Sequence, residues 1–139
     1  MAGFAMNVDY HQDGFSLEAC FETGPGLSVI FGPSGAGKTT VLNLLAGLVK
    51  PNAGWASIDG TELFNTHDQF NMPIQDRGLG YVPQDLLLFP HLSVKANLLF
   101  GVKSSDIGHF EHITQMLDLK PLLERYPSDL SGGEGRRVA

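Results

Sequence analysis

The stretch richest in chemistry is "GPSGAGKTT", residues 32–40. Gly32, Gly37, Lys38 and Thr39 meet the spacing G-x-x-x-x-G-K-[ST], and each type has a physical job there. Gly32, Gly35 and Gly37 permit positive φ, so successive backbone N–H groups can point into one concavity. Pro33, Ser34, Ala36 and Thr40 complete the loop and its exit. A helix is predicted to open as the loop closes, and its unpaired N–H groups and dipole favour an anion. Lys38 supplies a point charge for β- and γ-phosphates, and the Thr39 hydroxyl is a Mg²⁺ ligand. The chemistry is a grip on nucleotide phosphates. By itself the loop leaves kinase, GTPase and transport ATPase open.

Two further stretches carry chemistry. "YVPQD" sets Gln84 just past an expected strand, and "LSGGEGRRVA" sets Ser131, Gly132 and Gly133 before an expected helix. The second glycine element offers a hydroxyl and exposed N–H groups at a helix start, a further anion site. One nucleotide has no obvious need of two such sites on one chain.

These residues need elements to hold them. Residues 3–9 read as a weak strand. Phe15, Leu17, Ala19 and Phe21 alternate with mostly polar neighbours, the period of a half-buried strand. "LSVIF" (27–31) is nearly all apolar, as in a strand buried on both faces of a parallel sheet. Val41, Leu42, Leu44, Leu45 and Leu48 fall at helical spacing, and Pro51 predicts an end near Lys50. "WASIDG" and "TELF" read as short strands, and "LGYV" (79–82) as another, stopped by Pro83. Residues between them, "NTHDQFNMPIQDRG", are polar and irregular. Helices are expected over 93–102 and 106–119, the second with Ile107, Phe110, Ile113, Met116 and Leu117 as a core stripe.

Bulk properties bound the partners. The 139 residues suit one domain. Fifteen acidic against nine basic residues give a net charge of −6, which argues against a broad nucleic-acid surface. Cys20 is the only cysteine. It therefore has no intrachain disulfide partner, suits a reduced cytosolic setting and reads as a small strand residue. The N-terminus lacks the pattern of a signal peptide, and no apolar run approaches the roughly 20 residues of a membrane span.

With the Gly32–Thr39 loop, Gln84 and the LSGGE element in order, the chain resembles the ATP-binding cassette (ABC) ATPases, whose Walker A loop, Q-loop glutamine and LSGGQ signature they match. Glu134 stands in the usual Gln position and Gly135 replaces a usual polar or basic residue. The resemblance covers essentially the whole chain. It implies an α/β P-loop NTPase core with a mostly parallel sheet, an N-terminal antiparallel β patch and a helical subdomain. The implied division is a nucleotide-binding core over 1–89, the helical subdomain over 90–130, and the signature with its helix start over 130–139. It also implies ATP and Mg²⁺ as cofactors and a head-to-tail homodimer. There Ser131, Gly132, Gly133 and Glu134 of one copy would face the nucleotide held by Lys38 of the other. Gln84 would approach Mg²⁺, with Thr39, and the attacking water. Tyr10 or Phe15 would stack on adenine, with core packing an equal alternative for Phe15.

Only 46 residues (85 to 130) separate Gln84 from Ser131, without the coiled-coil heptads of DNA-repair relatives, which fits a transporter. The wording of "GPSGAGKTTVLNLLAGLVKPNAG", "DRGLGYVPQDLLLFPHLSVKANLLFG" and "YPSDLSGGEGRRVA" is most similar to the ATPases of molybdate importers. Sulfate, iron and polyamine importers are alternatives. Phe89, Pro90, His91 and Leu92 would then line the groove for a transmembrane permease subunit, with the ATPase peripheral on the inner face of the cell membrane. The chain contains no Asp-Glu dipeptide and no histidine after Ser131. The Walker B and switch-histidine motifs of the family are therefore not in these residues, and a truncated ATPase is expected. A short nucleotide binder without hydrolysis and a non-transport ABC protein acting on nucleic acid are the competing readings.

Overall fold

The computed structural model describes residues 3–102 and 107–139, without the side chain of Ile107. The chain divides into two compact units, Met1–Gly80 and Tyr81–Ala139.

The first unit is an antiparallel sheet with one helix. Strands β1 (Phe4–Gln12) and β2 (Phe15–Glu22) form a hairpin through Asp13 and Gly14. Both turn residues have positive φ, 49° and 83°, the two-residue turn whose twist matches paired strands. β3 (Ala53–Ile58) and β4 (Thr61–Asn65) repeat the device at Asp59 and Gly60, and β5 (Phe70–Asn71) closes the edge. The order is β2-β1-β3-β4-β5, all antiparallel. β2 alternates strictly between half-buried and exposed residues, as its period-two pattern predicts. Cys20 sits on its exposed side. Helix α1 (Lys38–Ala46) buries Val41, Leu44 and Leu45 in one cluster with Met6, Val8, Tyr10, Ala56, Leu63 and Phe64.

Three expectations for this part of the chain are corrected. Residues 27–31 and 79–82 are not strands. A strand exists through hydrogen bonds to a neighbour, and among the described residues no segment pairs with either run. Leu27 and Phe31 stay in solvent, 96% and 97% exposed, and Val82 is 66% exposed. The expected mostly parallel sheet is thus not seen, and the sheet present is the antiparallel one. The third correction is the end of α1, which falls at Ala46 rather than near Lys50. Gly47 takes φ 82°, its N–H reaches the Leu44 carbonyl, and Leu48 N–H reaches the Asn43 carbonyl at 2.9 Å. This paired closure by a left-handed glycine stops the helix before Pro51 can. The irregular stretch also holds β5 and a 3-10 turn, Ile74–Asp76.

The second unit is helical. α2 (Val94–Leu98), α3 (Ile107–Met116) and α4 (Gly132–Val138) are joined by 3-10 turns at Lys120–Leu122 and Pro127–Asp129. Val94, Leu119, Leu122 and Val138 form its core. α2 is shorter than the 93–102 expected. Ser93 caps its start, accepting from Ala96 N–H, while Val94 and Lys95 N–H donate to the Arg125 and Leu123 carbonyls. α3 stops at Met116. Asp106 and the Ile107 side chain lie outside the described residues. Met116 is 60% exposed rather than core, and Thr114 is buried in its stead. The Thr114 hydroxyl answers its own burial by donating to the Phe110 and Glu111 carbonyls. Among the described residues, no helix is long and apolar enough to cross a membrane.

Candidate functional site: a phosphate loop and a signature turn

The first unit carries the glycine loop. Gly35 and Gly37 hold φ of 82° and 90°, the region where a Cβ is strained. The Ala36 N–H donates to the Pro33 carbonyl, tightening the loop. Gly37 is the N-cap of α1 and offers no side-chain acceptor to the first helical N–H groups, and the first turn has no acidic residue. Those N–H groups and the positive helix end favour an anion. The Lys38 ammonium folds over the loop and donates to the Gly32 carbonyl at 3.0 Å and the Pro33 carbonyl at 2.7 Å. Thr39 is exposed beside it, and Thr40 is half-buried. The donor set fits a Mg²⁺-nucleotide: backbone N–H groups, one ammonium for phosphate oxygens, and one hydroxyl for the cation.

The two candidate rings differ in placement. Tyr10 is buried in the core cluster and its hydroxyl donates to Gln12 Oε1. Phe15 is half-buried and borders the loop: a Cβ built on Gly37 would lie 3.2 Å from Phe15 Cζ and 2.9 Å from Leu17 Cδ1. Gly37 is therefore needed twice, for its φ and for the approach of β2.

The second unit carries the other candidates. Gln84 is exposed on a bend. Phe89 stacks at 4.4 Å on Phe100 and 6.0 Å from His91. Asn97, which the sequence reading passed over, holds this turn: its Oδ1 accepts from Phe89 N–H, and its Nδ2 donates to the carbonyls of Phe89, Leu92 and Ser93. A polar amide inside an apolar helix start was the available signal, because Asn competes with the helix for backbone partners. Pro90 and His91 are exposed and Leu92 half-buried. Ser131 caps α4, and Gly132 and Gly133 form its exposed first turn. Glu134 accepts from Ser131 N–H and from Ser131 Oγ, both at 2.7 Å. Those bonds, the hydroxyl's first, hold its carboxyl below the usual carboxylate range, with Arg125 and Arg137 adding a smaller pull against desolvation. Gly135 is buried, and a Cβ there would lie 2.7 Å from Leu86 Cδ1. Its departure from the family pattern makes room for that side chain.

Arg77, also passed over, is 8% exposed. Burial pushes its pKa down from the ordinary value, yet a guanidinium stays charged in proteins. Its bonds run to the end of α1 and to residues 71 and 72.

A glycine loop opening a helix, with a lysine and a hydroxyl beside it, makes a candidate site for nucleotide phosphates. The ABC transporter family pattern matches residues 19–139, and the chain belongs to that family. It is 50% identical over 113 residues to the molybdenum import ATP-binding protein ModC of Vibrio parahaemolyticus, covering 81% of this chain and 31% of that protein. Against the ModC of Paramagnetospirillum magneticum it is 42% identical over 138 residues, 96% of this chain and 38% of the relative. The ModC of Rhizobium johnstonii is 43% identical over 131 residues, 91% and 37% of the two chains. The chain thus spans about a third of the length of the curated relatives it matches.

Proposed function

We propose that the chain is part of the ATP-binding subunit of an importer, coupling ATP binding and hydrolysis to uptake of molybdate or a related oxyanion. The observation that carries this is the Gly32–Thr39 loop at the uncapped start of α1, in a chain whose relatives are molybdenum import proteins. Bound Mg²⁺-ATP supplies the phosphoanhydride whose cleavage drives the cycle. The loop N–H groups and Lys38 hold and orient the β- and γ-phosphates, where positioning and charge do most of the catalytic work. Thr39 and Gln84 would hold Mg²⁺. Ser131, Gly132 and Gly133 serve the nucleotide of a second copy in a head-to-tail dimer. Phe15, beside Gly37, is the better placed ring for adenine. Phe89, Pro90, His91 and Leu92 receive the permease, which keeps the subunit on the cytoplasmic face of the membrane.

The test is the full-length protein reconstituted with its permease in vesicles. Molybdate uptake and the ATP hydrolysis linked to it are expected, and a response to sulfate, iron or polyamine alone would overturn the substrate reading. Gln84→Ala should lower transport-linked hydrolysis about tenfold or more while leaving nucleotide affinity within about threefold. Equal losses in both would remove its coupling role.

A further inference from the structure

Arg77 makes four hydrogen bonds, two to the end of α1 opposite the phosphate loop and two to residues 71 and 72. Its Nη1 donates to the Leu44 and Leu45 carbonyls at 2.9 and 2.6 Å. Its Nε donates to the Met72 carbonyl at 3.0 Å and its Nη2 to Asn71 Oδ1 at 2.7 Å. Leu44 and Leu45 belong to the last turn of α1, where carbonyls lack intrahelical partners. α1 has no basic residue of its own in that turn, so the cation that a helix C-terminus favours arrives from 32 and 33 residues along the chain. The guanidinium also lies 6.0 Å from the Phe64 ring centroid. Gly47 leaves room for it: a Cβ there would stand 2.8 Å from Arg77 Cζ.

α1 is nine residues long, about 13 Å. One end presents the loop's N–H groups and Lys38, and the other is forked to β5 and Met72 through one side chain. We infer that Arg77 is a positioning residue for phosphate binding, fixing the direction of α1 and thereby the aim of the Gly32–Thr39 loop. This rests on residues 32–40 being the phosphate site. A planar fork bonding to both strand-side and helix-side oxygens defines an orientation, which a lysine's single point charge does not.

The experiment compares Arg77→Lys, Asn71→Ala and the core control Val8→Ala in the full-length protein, at a temperature where each is folded by circular dichroism. Mg²⁺-ATP affinity is measured by titration, with melting and the amide resonances of Gly37 to Thr40. Arg77→Lys should weaken affinity about fivefold or more and shift those amides, because small misplacements of a binding group are costly. Val8→Ala should melt earlier with affinity within about twofold, since it removes core volume only. If Arg77→Lys does not fold, Asn71→Ala, which removes one anchor, is expected to weaken affinity by at least about twofold. A folded Arg77→Lys or Asn71→Ala that melts earlier yet keeps wild-type affinity and unshifted loop amides would overturn the inference, leaving Arg77 a stability residue. Unchanged affinity in Lys38→Ala would instead remove the phosphate-site reading, and this inference with it.

Discussion

Ser131 and Glu134 exchange three hydrogen bonds across the first turn of α4. The pair is a capping box: serine and glutamate three residues apart each satisfy the other's backbone N–H. That spacing was readable in the sequence, but there Glu134 was read only as a variant of the signature glutamine. Asn97 and Arg77 were not readable in the same way, because their partners are scattered and only folding brings them together. A carboxylate whose folded pKa lies below its ordinary value of 4.5 adds stability above that value and loses it as pH falls through the folded pKa. Glu134→Gln should therefore melt below wild type near neutral pH, and the gap should close as pH drops well below 4.5. Melting curves across that range check it, and a gap independent of pH would show that the charge contributes nothing.

Helix α1 shows how an element can be right in kind and wrong in extent. Its existence and its apolar face followed from Val41, Leu44 and Leu45, which are buried as their spacing predicts. Its end did not, because Gly47 closes the helix with a left-handed cap before Pro51 is reached. Alternation marks β2, whereas the pairing of the strands into hairpins rests on the Asp-Gly turns at 13–14 and 59–60, a signal the sequence carries that the expected strands did not draw on. The strand expected over 27–31 was not realised, since apolar composition names a segment suited to a sheet without naming its neighbour. Gly47→Ala should cost about 1–3 kcal/mol: left-handed φ strains any Cβ, and the new methyl would press on Arg77. Chemical denaturation of the variant measures it, and a loss below about 0.5 kcal/mol would mean that the cap relaxes freely.

For the molecule as a whole, the exposed apolar side chains decide behaviour. Leu27, Val29 and Phe31 in the first unit, and Leu87 and Phe100 in the second, are each more than half exposed. Contiguous apolar surface drives association, and each such side chain left unburied forgoes about 1.5–3 kcal/mol. Residues 1–139 expressed alone should associate at micromolar concentration and release no measurable phosphate from ATP. Sedimentation and a phosphate assay test this, and a monomer that hydrolyses ATP would place a catalytic base within these residues. The proposed nucleotide grip lies at the start of α1, in the Gly32–Thr39 loop. The direct measurement is Mg²⁺-ATP titration of the full-length protein against Lys38→Ala. Losing one charge-assisted hydrogen bond of about 1.5–3 kcal/mol should weaken binding roughly 10- to 100-fold. Equal affinity in the two proteins would contradict the account, because the phosphates would then be held elsewhere.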